Sequence, residues 1–179
     1  MKIFLDMDGV VADFVAGAET FFNKEFTGTD RDIVKHFGMT DDEFWPHLDF
    51  AFWSSLPKTD EADEIVQACL AHTSYVCFLS QPCKTIGCGE GKRAWAEAHY
   101  PDIPVLLSYD SKYYCAAPDH VLIDDYVLNC HRFESCGGVT VVVPRPWNSC
   151  SLFHGENVIK SVRRQLQDCV RRMGAVQCV

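Results

Sequence analysis

Two pairs of carboxylates are the residues in this sequence best placed to do chemistry. Asp6 and Asp8 lie in the run Asp6-Met7-Asp8-Gly9-Val10-Val11, just past a short apolar stretch and just before a glycine that lets the backbone turn sharply. Asp124 and Asp125 follow a second apolar stretch ending in Leu122-Ile123. One aspartate in such a place reads as an ordinary helix cap; two pairs ask for more. If the stretches are neighbouring strands, three or four carboxylates converge and repel one another unless a cation joins them. Oxygen donors of this kind suit a hard divalent ion, Mg²⁺. Ser80, Gln81 and Lys84 follow a third apolar stretch, and Lys112 lies on the loop between the stretches at 105–107 and 121–123. A hydroxyl and two cations at that edge suit a phosphate. A lone lysine is more often a solvated surface charge.

These residues need elements to position them. Five short runs rich in Val, Ile, Leu and Phe read as strands buried on both faces: 2–5, 75–79, 105–107, 121–123 and 139–143. Between them, helical spacing marks 61–72, 90–99 and 157–173, the last with Val158, Ile159, Val162, Leu166, Cys169, Val170 and Met173 on one face. The alternation predicts a parallel α/β sheet covered on both sides, with ligands beyond the carboxyl ends of its strands. About seventy residues separate the first strand from the second, too many for one crossover helix. Residues 13–56 look helical and aromatic, so an insert over the sheet is expected, with most of its aromatics serving its own small core.

Composition sets the outer bounds. The chain has 179 residues, 47% of them hydrophobic, enough to bury a core without disulfide or metal staples. No apolar run is long enough to span a membrane, and acidic residues arrive too early for a secretory signal, which favours a cytoplasmic protein that starts where the sequence starts. The net charge of −9 disfavours polymeric nucleic acid and anionic lipid as partners, while leaving room for a local phosphate pocket. Ten cysteines show no repeated pairing of the kind zinc sites use, so reduced thiols in packing roles are expected. Oligomeric state has no signature.

Asp6-Met7-Asp8-Gly9-Val10, Ser80, Lys112 and Asp124-Asp125 resemble, in order, the four motifs of the haloacid dehalogenase superfamily of phosphohydrolases. Within it, DMDGVVADF (6–14), FWSSLPKTDEA (52–62), SQPCK (80–84), GKRAWAEAHY (91–100), LIDDY (122–126) and VPRPWN (143–148) are similar to segments of the 5'(3')-deoxyribonucleotidases. The resemblance implies a three-layer Rossmannoid sandwich, with a catalytic core at 1–14 and 57–179 and a small helical cap at 15–56. It also implies Mg²⁺ and an aspartyl-phosphate mechanism. Asp6 would be the nucleophile and Asp8 the acid and base, its backbone carbonyl also on the metal. Ser80, Gln81, Lys84 and Lys112 would hold phosphate. Asp125 would ligate the ion, and Asp124 would ligate it or orient a bound water. Phe14 and Trp53 resemble aromatics that sandwich a base. Two departures stand out: Gln81 replaces a frequent Ser, and the cap is short and matches poorly.

The resulting expectation is a Mg²⁺-dependent phosphomonoesterase of 5'-nucleotidase type acting on nucleoside monophosphates, a deoxyribonucleotide first among them. The alternatives are the same chemistry on a sugar phosphate or other small phosphate, and a non-catalytic nucleotide-binding protein of the same fold. A phosphoacceptor receiver domain ranks last, having no need of the long insert.

Overall fold

A computed structural model describes residues 1–28, 32–148 and 157–176. Its single five-stranded sheet is parallel throughout: β1 (Lys2–Leu5), β2 (Val76–Ser80), β3 (Val105–Leu107), β4 (His120–Asp124) and β5 (Val139–Val142), in the order β3-β2-β1-β4-β5. The first strand therefore lies at the centre, where the strand order reverses. Its register pairs Leu5 with Phe78 on one side and with Ile123 on the other, and the Asp6 amide continues the ladder to the Ile123 carbonyl at 2.9 Å. Asp6 and Asp124 consequently leave adjacent strands at the same level.

Side-chain alternation divides the core into two layers. Ile3, Leu5, Phe78, Val121 and Ile123 belong to the larger core, with Ile65 of α5 (Ala62–Leu70), Trp95 of α6 (Cys88–His99) and Val162 of α8 (Val158–Val176). On the opposite face Phe4, Leu79 and Leu122 meet Phe133 of α7 (Val127–Ser135). The strands and the three expected helices form within a few residues of their predicted bounds. Helix α7 was not anticipated, because Cys130 and Phe133 are its only buried side chains and its pattern is too polar to show a period. Among the described residues, no helix is long and apolar enough to cross a membrane. The eight described cysteines are free thiols; Cys150 and Cys178 lie outside the described residues.

The long insert is helical, in short pieces: α1 (Phe14–Phe22), α2 (Ile33–His36), α3 (Asp41–Phe44), a 3₁₀ turn (Trp45–His47) and α4 (Phe50–Ser54). Helices of four or five residues are not stable by propensity. These are held by local caps, Asp13, Asp32 and Asp49 each accepting backbone amides, and by an aromatic centre. Phe44 is fully buried there among Phe14, Phe22 and Phe37. The chain enters and leaves this insert side by side: the Asp13 amide donates to Pro57 O, the Thr59 amide to Val11 O, and Thr59 Oγ1 to Val10 O at 2.8 Å. The insert is thus mounted on a two-stranded bridge next to the Asp6–Gly9 loop. Helix α4 rests on α6 at a point where glycine is required, since a Cβ on Gly91 would lie 2.9 Å from Phe50 O.

Candidate active site

Asp6, Asp124 and Asp125 come together at the carboxyl end of the sheet, with one oxygen from each within 4.8 Å of the others. All three are buried. Lys112, at the start of the 3₁₀ turn Lys112–Cys115 after β3, reaches into the cluster and is itself 2% exposed. Its Nζ lies 2.6 Å from Asp6 Oδ1 and 2.7 Å from Asp124 Oδ2. Burial opposes the lysine's charge, yet Asp124 and Asp6 outweigh it and hold the ammonium above the ordinary lysine range. Burial drives the Asp124 carboxyl up, to about 7, against the pull of Lys112; Asp6 and Asp125 push it the same way as burial. The site is overcharged with carboxylates, and one lysine does not neutralise it.

Neighbouring donors fix each carboxylate. Asp124 accepts from the Tyr126 amide (2.7 Å) and Asn129 Nδ2 (3.0 Å), the first of these made possible by the turn into α7. Among the described residues, the hydrogen bonds to Asp6, from the Met7 amide and Lys112, both fall on Oδ1. Asp125 Oδ2 accepts from Trp147 Nε1 at 2.5 Å, and its backbone carbonyl accepts from Asn148 Nδ2 at 2.8 Å. Arg145 donates from Nε to Gly9 O at 2.6 Å and pairs through Nη1 with Glu61 at 3.1 Å. The segment 143–148 therefore clamps both acidic loops. In the sequence this segment shows only as part of the resemblance, with no role of its own.

Asp8 stands at the edge, partly exposed, with Oδ2 paired to Lys92 of α6. Its Oδ1 is buried without a hydrogen-bond partner among the described residues. Lys92 is 1% exposed, with its ammonium 4.6 Å from the centroid of Trp53. Lys92 lies in the segment 91–100 that carries part of the resemblance, with no site role assigned to it there. The signal was there: a lysine at 92 shares a helical face with Cys88, Trp95 and Ala96, where a solvated lysine would not be placed. Ser80 ends β2 fully buried, its hydroxyl likewise unpartnered among the described residues. Gln81 is exposed and donates to Asp110 O at 3.0 Å, tying the loop after β2 to the loop that carries Lys112. Lys84 is exposed on the former loop and makes no hydrogen bond or ion pair among the described residues.

Gly9 makes the first turn possible. Its φ is +73°, and a Cβ there would meet Asp125 Oδ2 at 2.8 Å. Gly9→Ala is expected to cost about 1–2 kcal/mol from the left-handed backbone alone, more with the clash, and to lower the midpoint of urea unfolding accordingly.

Two cavities open from Asp8. The larger, about 510 Å³, is walled by Phe14, Phe26, Trp45 and Trp147 and reaches Asp125; the smaller, about 320 Å³, lies among Phe14, Trp53, Gln81 and Cys83. Phe14 and Trp53 both face this space, but they stack on each other, with centroids 5.4 Å apart and planes 15° apart. A ring held between them would need about 7 Å, two van der Waals layers. Trp53 cannot swing away freely, being buried and bonded through Nε1 to Leu48 O at 2.9 Å. The rings form one aromatic wall, in which Phe14 is stacked with Trp45 as well as with Trp53.

No family model matches the sequence, and a search of curated proteins finds no match. Among solved structures the chain is similar to two crystal structures of a dehalogenase, one of them with an intermediate complex, at 10% and 12% sequence identity. Both give a TM-score of 0.52 and cover 82% of this chain and 86% of the other. At such identities the likeness is one of architecture: the chain has a haloacid dehalogenase-like Rossmannoid fold.

Proposed function

We propose that this chain is a haloacid dehalogenase-type hydrolase, specifically a Mg²⁺-dependent phosphomonoesterase that acts on nucleoside monophosphates, deoxyribonucleotides first among them. The observation that carries the reading is the buried cluster of Asp6, Asp124 and Asp125 with Lys112 bridging two of them. Displacement at a neutral carbon has no use for so much negative charge. Hydrolysis of a phosphate dianion does, provided a divalent cation shares the site.

The donor set fits that cation: buried, hard carboxylate oxygens in excess of the local positive charge. Asp6, Asp125 and the backbone carbonyl of Asp8 would hold Mg²⁺, with Asp124 ligating it or orienting a bound water. Its chemistry there would be to cancel much of the repulsion between a carboxylate and a phosphate dianion.

The chain's own residues do the rest. Asp6 Oδ2 attacks phosphorus, the ester bond breaks, and the phosphoryl group rests on Asp6. Asp8 gives its proton to the departing oxygen, then takes one from the water that attacks the aspartyl-phosphate and frees inorganic phosphate. Ser80 Oγ and Lys112 hold non-bridging oxygens; the ammonium has a third N–H beyond the two used by Asp6 and Asp124. Lys92 keeps Asp8 in place. The larger cavity, aromatic and of a size common for small-molecule sites, receives the leaving nucleoside.

The test is phosphate release from ribo- and deoxyribonucleoside monophosphates and small sugar phosphates, with Mg²⁺ and with chelator. Release confined to nucleotides and lost in chelator is the expected result. Release from sugar phosphates alone would move the substrate. Tight nucleotide binding without release would make this a binding protein.

A further inference from the structure

The loop between β2 and α6 carries two cysteines that the chemistry above does not use. Cys83 is half-buried in the wall of the smaller cavity, beside Asp8, Phe14 and Trp53. Cys88 is the first residue of α6 and fully buried. The loop folds back on the helix so that both residues meet Thr85, whose carbonyl accepts from the Cys88 amide at 3.4 Å, and the two thiols interact with each other. Cys83 Sγ also lies 2.8 Å from Thr85 Oγ1, and that hydroxyl reaches Leu48 O of the cap at 3.3 Å. Leu48 O is the same carbonyl that anchors Trp53. The pair therefore sits where the loop after β2, α6 and the insert meet.

The two sulfurs are not equivalent. The Cys88 S–H holds the Cys83 thiol down at about 6, with help from Thr85 and from the Lys92 ammonium, while burial pulls the other way. The same pairing and its own burial push Cys88 far up. At neutral pH one sulfur is ready to attack an oxidant, and the other keeps its proton.

We propose that Cys83 and Cys88 form a reversible oxidation site in the wall of the candidate active site, closed to a disulfide by a peroxide and reopened by a thiol reductant. The Cys83 sulfur attacks one oxygen of hydrogen peroxide. The O–O bond breaks, and the departing hydroxide takes a proton to become water, leaving a sulfenic acid. The Cys88 sulfur then attacks Cys83 as its S–OH bond breaks; hydroxide leaves and takes up the Cys88 proton as a second water. Two thiols are oxidised by two electrons, and one peroxide is reduced to two waters. Closing the bond ends the Cys83–Thr85 contact and fixes the loop that begins at Ser80 onto α6. Its effect on turnover rests on the phosphatase reading; the oxidation itself does not.

The experiment uses the full reduced chain, treated with stoichiometric hydrogen peroxide, alkylated and mapped without reduction. The expected product is an intramolecular Cys83–Cys88 disulfide, formed before exposed Cys136 is modified and reversed by dithiothreitol. Cys88→Ser is expected to stop Cys83 at a sulfenic acid that dimedone traps, and Cys83→Ser to leave Cys88 unmodified. Alkylatable thiols at both positions after Cys136 has reacted, or Cys83 paired with a different cysteine, would overturn the proposal. The map is read whether or not the reduced protein releases phosphate, so failure of the phosphatase reading shows separately in the substrate panel. If the panel is positive, unchanged release after oxidation would overturn the link to the pocket.

Discussion

Asp6→Asn is expected to lower phosphate release by at least about a thousandfold while leaving the protein as stable as wild type. The geometry separates the two effects. Among the described residues both hydrogen bonds to the Asp6 side chain end on Oδ1, and an asparagine Oδ1 still accepts from the Met7 amide and, more weakly, from Lys112, which keeps its ion pair with Asp124. The amide nitrogen then takes the place of Oδ2, the atom that would attack phosphorus. Removing one negative charge also relieves a cluster in which Asp124 and Asp125 remain. Stability measured in chelator should therefore hold or rise as activity disappears, and the variant should still bind substrate. Full activity in Asp6→Asn would remove the nucleophile assignment. A variant that unfolds would instead show that the cluster is structural.

How far such a site can be read from sequence depends on which physical signal each residue carries. Asp6, Asp8, Asp124 and Asp125 were legible because buried parallel strands are continuous apolar runs, and the residues just past their ends are where an open sheet binds ligands. Strand adjacency was not legible in the spacing. The structure supplies it, with β1 between β2 and β4. The cap was legible as an insert but not as a shape, because helices of four and five residues carry no period, and its aromatics pack by tertiary contact. Phe14 and Trp53 illustrate the loss: sequence placed both near a ligand, and only coordinates show their rings spending their faces on each other. Lys92 was hidden by its residue type. A lysine is usually read as solvent-facing; its helical face with Cys88, Trp95 and Ala96 marks its burial, while its partners Asp8 and Trp53 come from the docking of α6 beneath α4, which no local pattern encodes.

Lys112→Met is expected to destabilise the protein in chelator by about 3–5 kcal/mol, the usual cost of stranding buried charge by removing one partner. The lysine is fully buried between Asp6 and Asp124, and no other lysine or arginine among the described residues pairs with either carboxylate. Removing the ammonium leaves two buried carboxylates facing each other and Asp125. Asp124 already has its carboxyl raised to about 7 with Lys112 present, so losing the lysine favours its protonation further. Lys112→Met combined with Asp124→Asn should recover more than half of the loss, because a neutral amide keeps the Tyr126 bond on its oxygen, can donate to Asn129 once that amide turns its oxygen inward, and ends the repulsion. Urea unfolding in chelator and in Mg²⁺ distinguishes the contributions. If the carboxylates hold the ion as proposed, Mg²⁺ narrows the deficit of the single variant, since it supplies the positive charge the methionine removed. An equally stable Lys112→Met in chelator would mean that Asp6 and Asp124 do not depend on the ion pair. Equal deficits with and without Mg²⁺ would count against a divalent cation among these three aspartates, and with it against the proposed chemistry.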